Sequence, residues 1–215
     1  MALVLPFTDK TCDAILPEVL RVLAAPGLIA LPTETYYGLA VRPTDEAALR
    51  RLIDVKGRPP NKPILVLIGA RDQLPPLVES IPSAAALLMD LFWPGPLTIV
   101  FPAAPGLSPL LTAGTGTIGI RWSPLPALQG LLAQTGPLTG TSANRSSEPP
   151  PDNADAVQQV LGALLDLILD GGPTPGGLAS TVIDACERPH VLRAGVLSTD
   201  QIRVALARQG YTLSP

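Results

Sequence analysis

The sequence predicts a mixed fold of α/β (α+β) class, a sheet with flanking helices. Three observations carry this. Short apolar runs of strand type alternate along the chain with segments of helical period. Hydrophobic residues make up 47% of the chain and aromatics only 4%, so the expected core is aliphatic. The 215 residues support one large domain over 1–215, a size that buries roughly three quarters of its unfolded surface.

The elements follow in order. Residues 13–25 read as a helix stopped near Pro26-Gly27, and Leu28–Leu31 as a short strand ended by Pro32. Thr44 can cap a helix, with Asp45 and Glu46 favourable in its first turn; Ala48, Leu49, Leu52 and Ile53 share one face, and Gly57 suits the residue past the end. Ile64–Ile68 has the character of a buried strand, 83–92 of a helix and Leu97–Phe101 of an extended run. Thr117–Arg121 reads as a strand, followed by a helix near 125–134. Extended pieces recur at 166–169, 180–184 and 190–193, and a last helix spans 199–208. The cluster Glu148-Pro149-Pro150-Pro151 predicts a stiff surface loop.

Composition excludes several function classes. A net charge of −3 is unlike the strongly basic balance of a nucleic-acid binder, so a polyanion site has to be a local cluster of cations. Cys12 and Cys186 have no metal-ligand spacing and read as reduced thiols. His190 is the single histidine, which argues against a histidine metal site or a Ser-His-Asp triad. Met1–Lys10 lacks a basic signal-peptide region, and no uncharged apolar run approaches the ~20 residues a bilayer span needs. A soluble cytoplasmic protein without membrane contact is the expectation. No Walker-type phosphate loop and no dinucleotide fingerprint is present, so nucleotide binding needs another architecture.

Three segments carry candidate chemistry. In Lys56-Gly57-Arg58-Pro59-Pro60-Asn61-Lys62-Pro63, three cations fall together between a helix end and a strand, stiffened by prolines. A polyphosphate would relieve their mutual repulsion; a solvated Pro-rich turn is the plainer alternative. Thr139–Ser147 offers hydroxyls, an amide and a guanidinium, enough for an anion loop or for Ser/Thr and Asx turns. Pro32-Thr33-Glu34-Thr35-Tyr36-Tyr37 could grip a small polar ligand or merely cap a turn. Beyond these, Trp93-Pro94-Gly95-Pro96 reads as a rigid turn with a packed indole. By the two-residue period, Thr117, Gly119 and Arg121 point to one side.

Taken in order, PTETYYGL, KGRPPNKP, WPGPLT, TIGIR, TGTSANRSSEP, DGG, STVID and LRAG resemble the motifs of the YrdC/TsaC family of threonylcarbamoyl-AMP synthases. The resemblance implies a twisted open mixed sheet with a large, positively lined concave cavity, in the short, single-domain form. It implies a reaction in which L-threonine, bicarbonate or CO2, and ATP give threonylcarbamoyl-adenylate and pyrophosphate. The adduct would pass to downstream tRNA threonylcarbamoyl-transferase proteins for modification of tRNA, with at most a weak tRNA contact by this chain.

Carried over by motif, Thr35, Arg121, Thr141 and Ser180 would serve threonine, Arg121 through its carboxylate or the carbamate. Arg58, Lys62, Thr117, Ser142, Ala143, Asn144 and Arg193 would serve ATP, with residues 142–144 as an S-x-N element beside the phosphates. Lys56 and Arg58 form the K-x-R element, expected to supply catalytic charge stabilisation. Mg²⁺ would enter with ATP, and no protein metal ligand is expected. Three positions depart from the pattern. Leu67 replaces a histidine that helps contact threonine, Tyr36 replaces a valine, and Ser147 replaces a glycine and so restricts positive φ in its loop.

Two other readings remain at this point. One is a diverged RNA-binding paralogue without synthase activity; the intact K-x-R and S-x-N elements argue for the enzyme. The other is a carbamoyl-transfer domain of a larger maturation enzyme.

Overall fold

The computed structural model describes residues 1–214. In chain order the elements are β1 (Leu3–Pro6), α1 (Cys12–Ala24), β2 (Ile29–Pro32), β3 (Tyr37–Ala40), α2 (Glu46–Lys56), β4 (Val66–Ile68), α3 (Ser83–Phe92), β5 (Leu97–Pro102), α4 (Pro109–Thr112), β6 (Thr117–Trp122), α5 (Pro126–Thr135), β7 (Leu138–Thr139), β8 (Thr141–Ser142), α6 (Ala154–Leu161), β9 (Leu167–Asp170), β10 (Thr181–Asp184), β11 (His190–Arg193) and α7 (Thr199–Ala207). The mixed α/β class holds, and the strands divide between two sheets. One runs β1-β9-β2-β3-β8 and the other β11-β10-β5-β6-β4-β7. Both are mixed: β1, β9 and β2 are parallel while β3 runs against β2, and β5 runs against β6 but with β10.

Two aliphatic cores hold this together. The larger joins the sheets to each other, with Ala30 and Leu39 from the first packed with Val66, Ile99 and Ile120 from the second. The smaller seats α1 and α5 on the first sheet's outer side through Ile15, Val19, Leu128 and Leu132. Trp93 is buried as expected, its ring 6.1 Å from Phe101 and its Nε1 donating to Leu97 O at 2.7 Å. No helix among the described residues is long and apolar enough to cross a membrane.

The second helix shows how local signals place a functional side chain. Its cap is Asp45, not Thr44: the carboxylate accepts from Ala48 N at 3.0 Å, and as an anion it also suits the helix N-terminus better than a hydroxyl. Ala48, Leu49 and Leu52 are buried. Gly57 ends the helix at φ 58, where a side chain would be strained, and it turns the chain straight into the cation segment. Lys56 is therefore the last helical residue, carried inward rather than outward.

Several elements lay outside the sequence reading. β1, β3, β7, β8, α4 and α6 had no counterpart in it. β3 begins at the end of the stretch read as a hydroxyl loop; its residues are buried on both faces, so no alternation marks it. The proline cluster is also more than a surface loop, since Pro151 is buried and its carbonyl accepts from Tyr37 N at 3.1 Å.

Candidate functional site

Loops and strand ends of both sheets enclose one cavity of about 540 Å³, within the range of small-molecule sites. Of the residues singled out from sequence, Thr35, Arg58, Thr117, Arg121, Thr141, Ser142, Ser180 and Arg193 all line it. Thr117, Gly119 and Arg121 do so together, as the strand period requires. Segments separated by more than a hundred residues thus meet in a single hollow.

Three guanidiniums define the site. Arg58 donates from Nε to Lys62 O at 3.0 Å, from Nη2 to Pro63 O at 2.5 Å and from Nη1 to Thr141 Oγ1 at 3.2 Å. Its own loop therefore fixes it. Arg193 donates to Ser180 O at 2.8 Å and Ser180 Oγ at 3.1 Å, and Ser180 Oγ and Thr98 Oγ1 are hydrogen-bonded at 2.9 Å. Gly195 makes that arrangement possible, because a Cβ there would lie 2.2 Å from Ala179 O and 2.6 Å from Thr181 N. Arg121 is the most buried, with 4% of its side chain exposed; Nη1 donates to Thr35 Oγ1 at 3.3 Å and Nε lies 3.4 Å from Glu34 Oε1.

The charges sense one another. Burial, then the field of Arg193, lowers the pKa of Arg58; burial, then Arg121, lowers that of Arg193. The cavity wall holds one carboxylate, Asp184, whose Oδ1 accepts from Cys186 N at 2.8 Å. Among the described residues no three His, Cys, Asp or Glu side chains converge as a metal cluster.

Four sequence candidates stand outside the wall. Lys56, expected to face phosphate, is 4% exposed and turned under the S-x-N loop. Its ammonium donates to Ser142 O at 2.6 Å, Asn144 Oδ1 at 2.9 Å and Asn144 O at 3.0 Å, with Ser142 Oγ at 3.3 Å. An ammonium has three protons, so those acceptors consume it. Burial, with the positive charges of Arg58 and Lys62 behind it, pushes its pKa down to about 8. Asn144 is buried and braces the loop by donating to Glu148 O, while Ala143 is fully buried in the core, its N donating to Tyr37 O at 2.8 Å. Lys62 is exposed beyond the rim and contributes its backbone carbonyl to Arg58.

Leu67 is fully buried, close behind Gly140, and offers no polar contact to the cavity. Ser147 takes φ 74 despite its side chain, against the expected restriction, and so carries the strain of the left-handed region. Both tyrosines wall the cavity as amphipathic rings. Tyr36 OH donates to Gly177 O and Tyr37 OH to Gly172 O, each at 2.8 Å, which ties the glycine loop over the site. Burial pushes the Tyr37 phenol up to about 12. Thr33, Thr98, Leu192 and Glu34 were missed. All four lay inside quoted motifs, but nothing local said which way each would turn.

The family model described as telomere recombination (Sua5_yciO_yrdC) matches residues 21–195. A threonylcarbamoyl-AMP synthase of Pyrococcus abyssi is 39% identical over 180 residues, covering 81% of this chain and 52% of the relative. A Bacillus subtilis protein of the same name is 36% identical, covering 93% and 59%. The chain thus spans little more than half the length of these two curated relatives. A putative synthase of Mycobacterium tuberculosis, 36% identical, is matched over 86% of each chain. Among solved structures, P. abyssi Sua5 complexed with L-threonine superposes with TM-score 0.91 at 31% identity, over 100% of this chain and 63% of that one. E. coli YciO superposes at 0.83 with 24% identity, over 94% and 98%, a likeness of fold. On the family match and these identities, the chain belongs to the Sua5/YciO/YrdC family.

Proposed function

We propose that this chain is an L-threonylcarbamoyladenylate synthase, a nucleotidyltransferase that joins L-threonine, bicarbonate or CO2, and ATP and releases pyrophosphate. One observation carries the reading: the cavity is charged unequally from end to end. Arg58 and Arg193 have only neutral oxygens as partners, whereas Arg121 has a carboxylate behind it. Uncompensated positive charge suits a triphosphate; a balanced pair lined with Thr35 suits a zwitterion of amino-acid size. The names of the relatives and the L-threonine bound to P. abyssi Sua5 support the same assignment.

The chemistry follows from placement. Threonine's amine captures CO2 as a carbamate, losing a proton to water. A carbamate oxygen attacks the α-phosphorus, that bond forms, the bond to the bridging oxygen breaks, and pyrophosphate leaves. Two anions have to meet, and fixed guanidiniums lower that cost without reorganising. Arg58 and Arg193 would hold the phosphates, with Thr117 and Ser142 donating from the wall and Lys62 adding charge at the rim. Arg121, Thr35, Thr141 and Ser180 would hold the threonine side. Lys56, Ala143 and Asn144 would act through the loop they shape. Mg²⁺ belongs to the nucleotide as MgATP, with Asp184 the carboxylate within reach of the cavity. The product would pass to tRNA threonylcarbamoyl-transferase partners, in the cytoplasm where ATP and tRNA are available; any tRNA contact by this chain would be weak.

The test is pyrophosphate release with each substrate omitted in turn. Dependence on both threonine and bicarbonate is expected. Release from ATP alone at an undiminished rate would overturn the reading.

A further inference from the structure

We propose that Glu34 is a positioning residue: its carboxylate aims the Arg121 guanidinium and so sets the affinity of the amino-acid end of the cavity. The inference deepens the proposed function and rests on its assignment of that end. Thr33 and Thr35 both line the cavity, while Glu34 between them is turned behind the wall, its side chain 10% exposed. There its Oε2 accepts from Ser123 Oγ at 2.6 Å, and its Oε1 faces Arg121 Nε at 3.4 Å. Ser123 directly follows β6, the strand that carries Arg121, so the relay ties the turn after β2 in one sheet to β6 in the other.

Arg121 needs such a partner. A guanidinium that deeply buried is tolerated only with compensating charge. Among the described residues Glu34 is the carboxylate within 4 Å of it. The group is held from two sides, by Glu34 at Nε and by Thr35 Oγ1 at Nη1. Glu34 Oε1 and Arg121 Nε nevertheless lack a hydrogen bond, although both are buried. Unspent polar atoms in a charged pair beside a cavity mark a contact that is left loose until a ligand seats, as site hydrogen bonds often are before substrate arrives.

The experiment measures pyrophosphate release against threonine and ATP for Glu34→Gln, Arg121→Gln and the double variant. The glutamine keeps the shape and the Ser123 contact but removes the charge. Glu34→Gln is expected to raise the KM for threonine about 30-fold and to leave the KM for ATP within about threefold. In the Arg121→Gln background it is expected to add less than about threefold, because the interaction it serves is already gone. Equal changes in both KM values, or a full additional loss in that background, would overturn the proposal. If Glu34→Gln does not fold, Ser123→Ala decides: a rise of about fivefold in the KM for threonine alone is expected, and no change overturns. A crystal structure of either variant gives a readout free of activity. The guanidinium is expected to leave Thr35, and an unmoved Arg121 sinks the inference even if wild-type release proves independent of threonine, a result that would instead sink the functional reading.

Discussion

The two ends of the cavity use the same side chain to opposite effect. At one, Arg58 and Arg193 are clamped by carbonyls and hydroxyls, which fix direction without cancelling charge. At the other, Arg121 sits against Glu34, so direction comes with neutralisation. The difference teaches how one hollow can sort two ligands. A neutral clamp leaves a field, and a field attracts a polyanion from a distance. An ion pair leaves a shape, which rewards only a ligand that fits it at close range.

The strongest way to break this comparison is at Arg58. Arg58→Ala removes a preorganised cation held by three acceptors, and it is expected to lower kcat/KM for ATP by at least ~100-fold while the KM for threonine shifts by less than about fivefold. Steady-state pyrophosphate release with each substrate varied would check it. Near-normal turnover, or a loss shared equally by both substrates, would mean that the ends are not separate.

How much of this was legible beforehand depended on whether a signal was local. Gly57 as a helix end, the inward face of α2 and the common side of Thr117, Gly119 and Arg121 follow from spacing, and the structure keeps them. The resemblance gathered eight wall residues from distant segments. What it could not say was which cations face the ligand. Lys56 and Arg58 are two positions apart across a left-handed glycine; one is turned under the neighbouring loop and the other into the cavity. Glu34 was hidden for a related reason: a turn, not a strand period, sends it behind Thr33 and Thr35. Strand order was out of reach because β9, from a distant part of the sequence, inserts between β1 and β2.

Lys56 offers a second, smaller test. Its pKa is near 8 because burial and the charges of Arg58 and Lys62 oppose protonation. A triphosphate seated beside those cations cancels their repulsion, so binding raises that pKa. If the rise is about one unit, the coupling is about 1.4 kcal/mol. The sign is fixed: the bound state holds more proton than the free state, so ATP binding near pH 8 takes up a fraction of a proton, and ATP affinity falls as pH rises through 8. Calorimetry in buffers of different ionisation enthalpy would measure the uptake. Lys56→Met is expected to abolish it, and threonine binding at the balanced end is expected to show none. Uptake on threonine instead would reverse the two ends.

The smallest effect lies in the loop that follows Ser142 at the neutral-clamp end. Ser147 holds φ 74, a region that costs an L-residue about 1 kcal/mol or more, and Glu148 N closes the turn on Arg145 O at 3.1 Å. Ser147→Gly removes that strain but loosens the unfolded chain by roughly half a kcal/mol or more. The net stabilisation expected is therefore only about 0.5 kcal/mol, a Tm rise of about 1–2 °C for a chain of this length. Ser147→Val, β-branched at the same angle, is expected to cost about 2 kcal/mol, so the two variants bracket the strain from opposite sides. Thermal unfolding of both decides whether it is real. Because Lys56 and Asn144 pin this loop from beneath, relieving Ser147 is expected to leave the KM for ATP unchanged. If the glycine variant is more stable yet binds ATP more weakly, then the strained turn itself helps hold the S-x-N loop toward the phosphates, and the clamp at this end extends beyond Arg58 and Arg193.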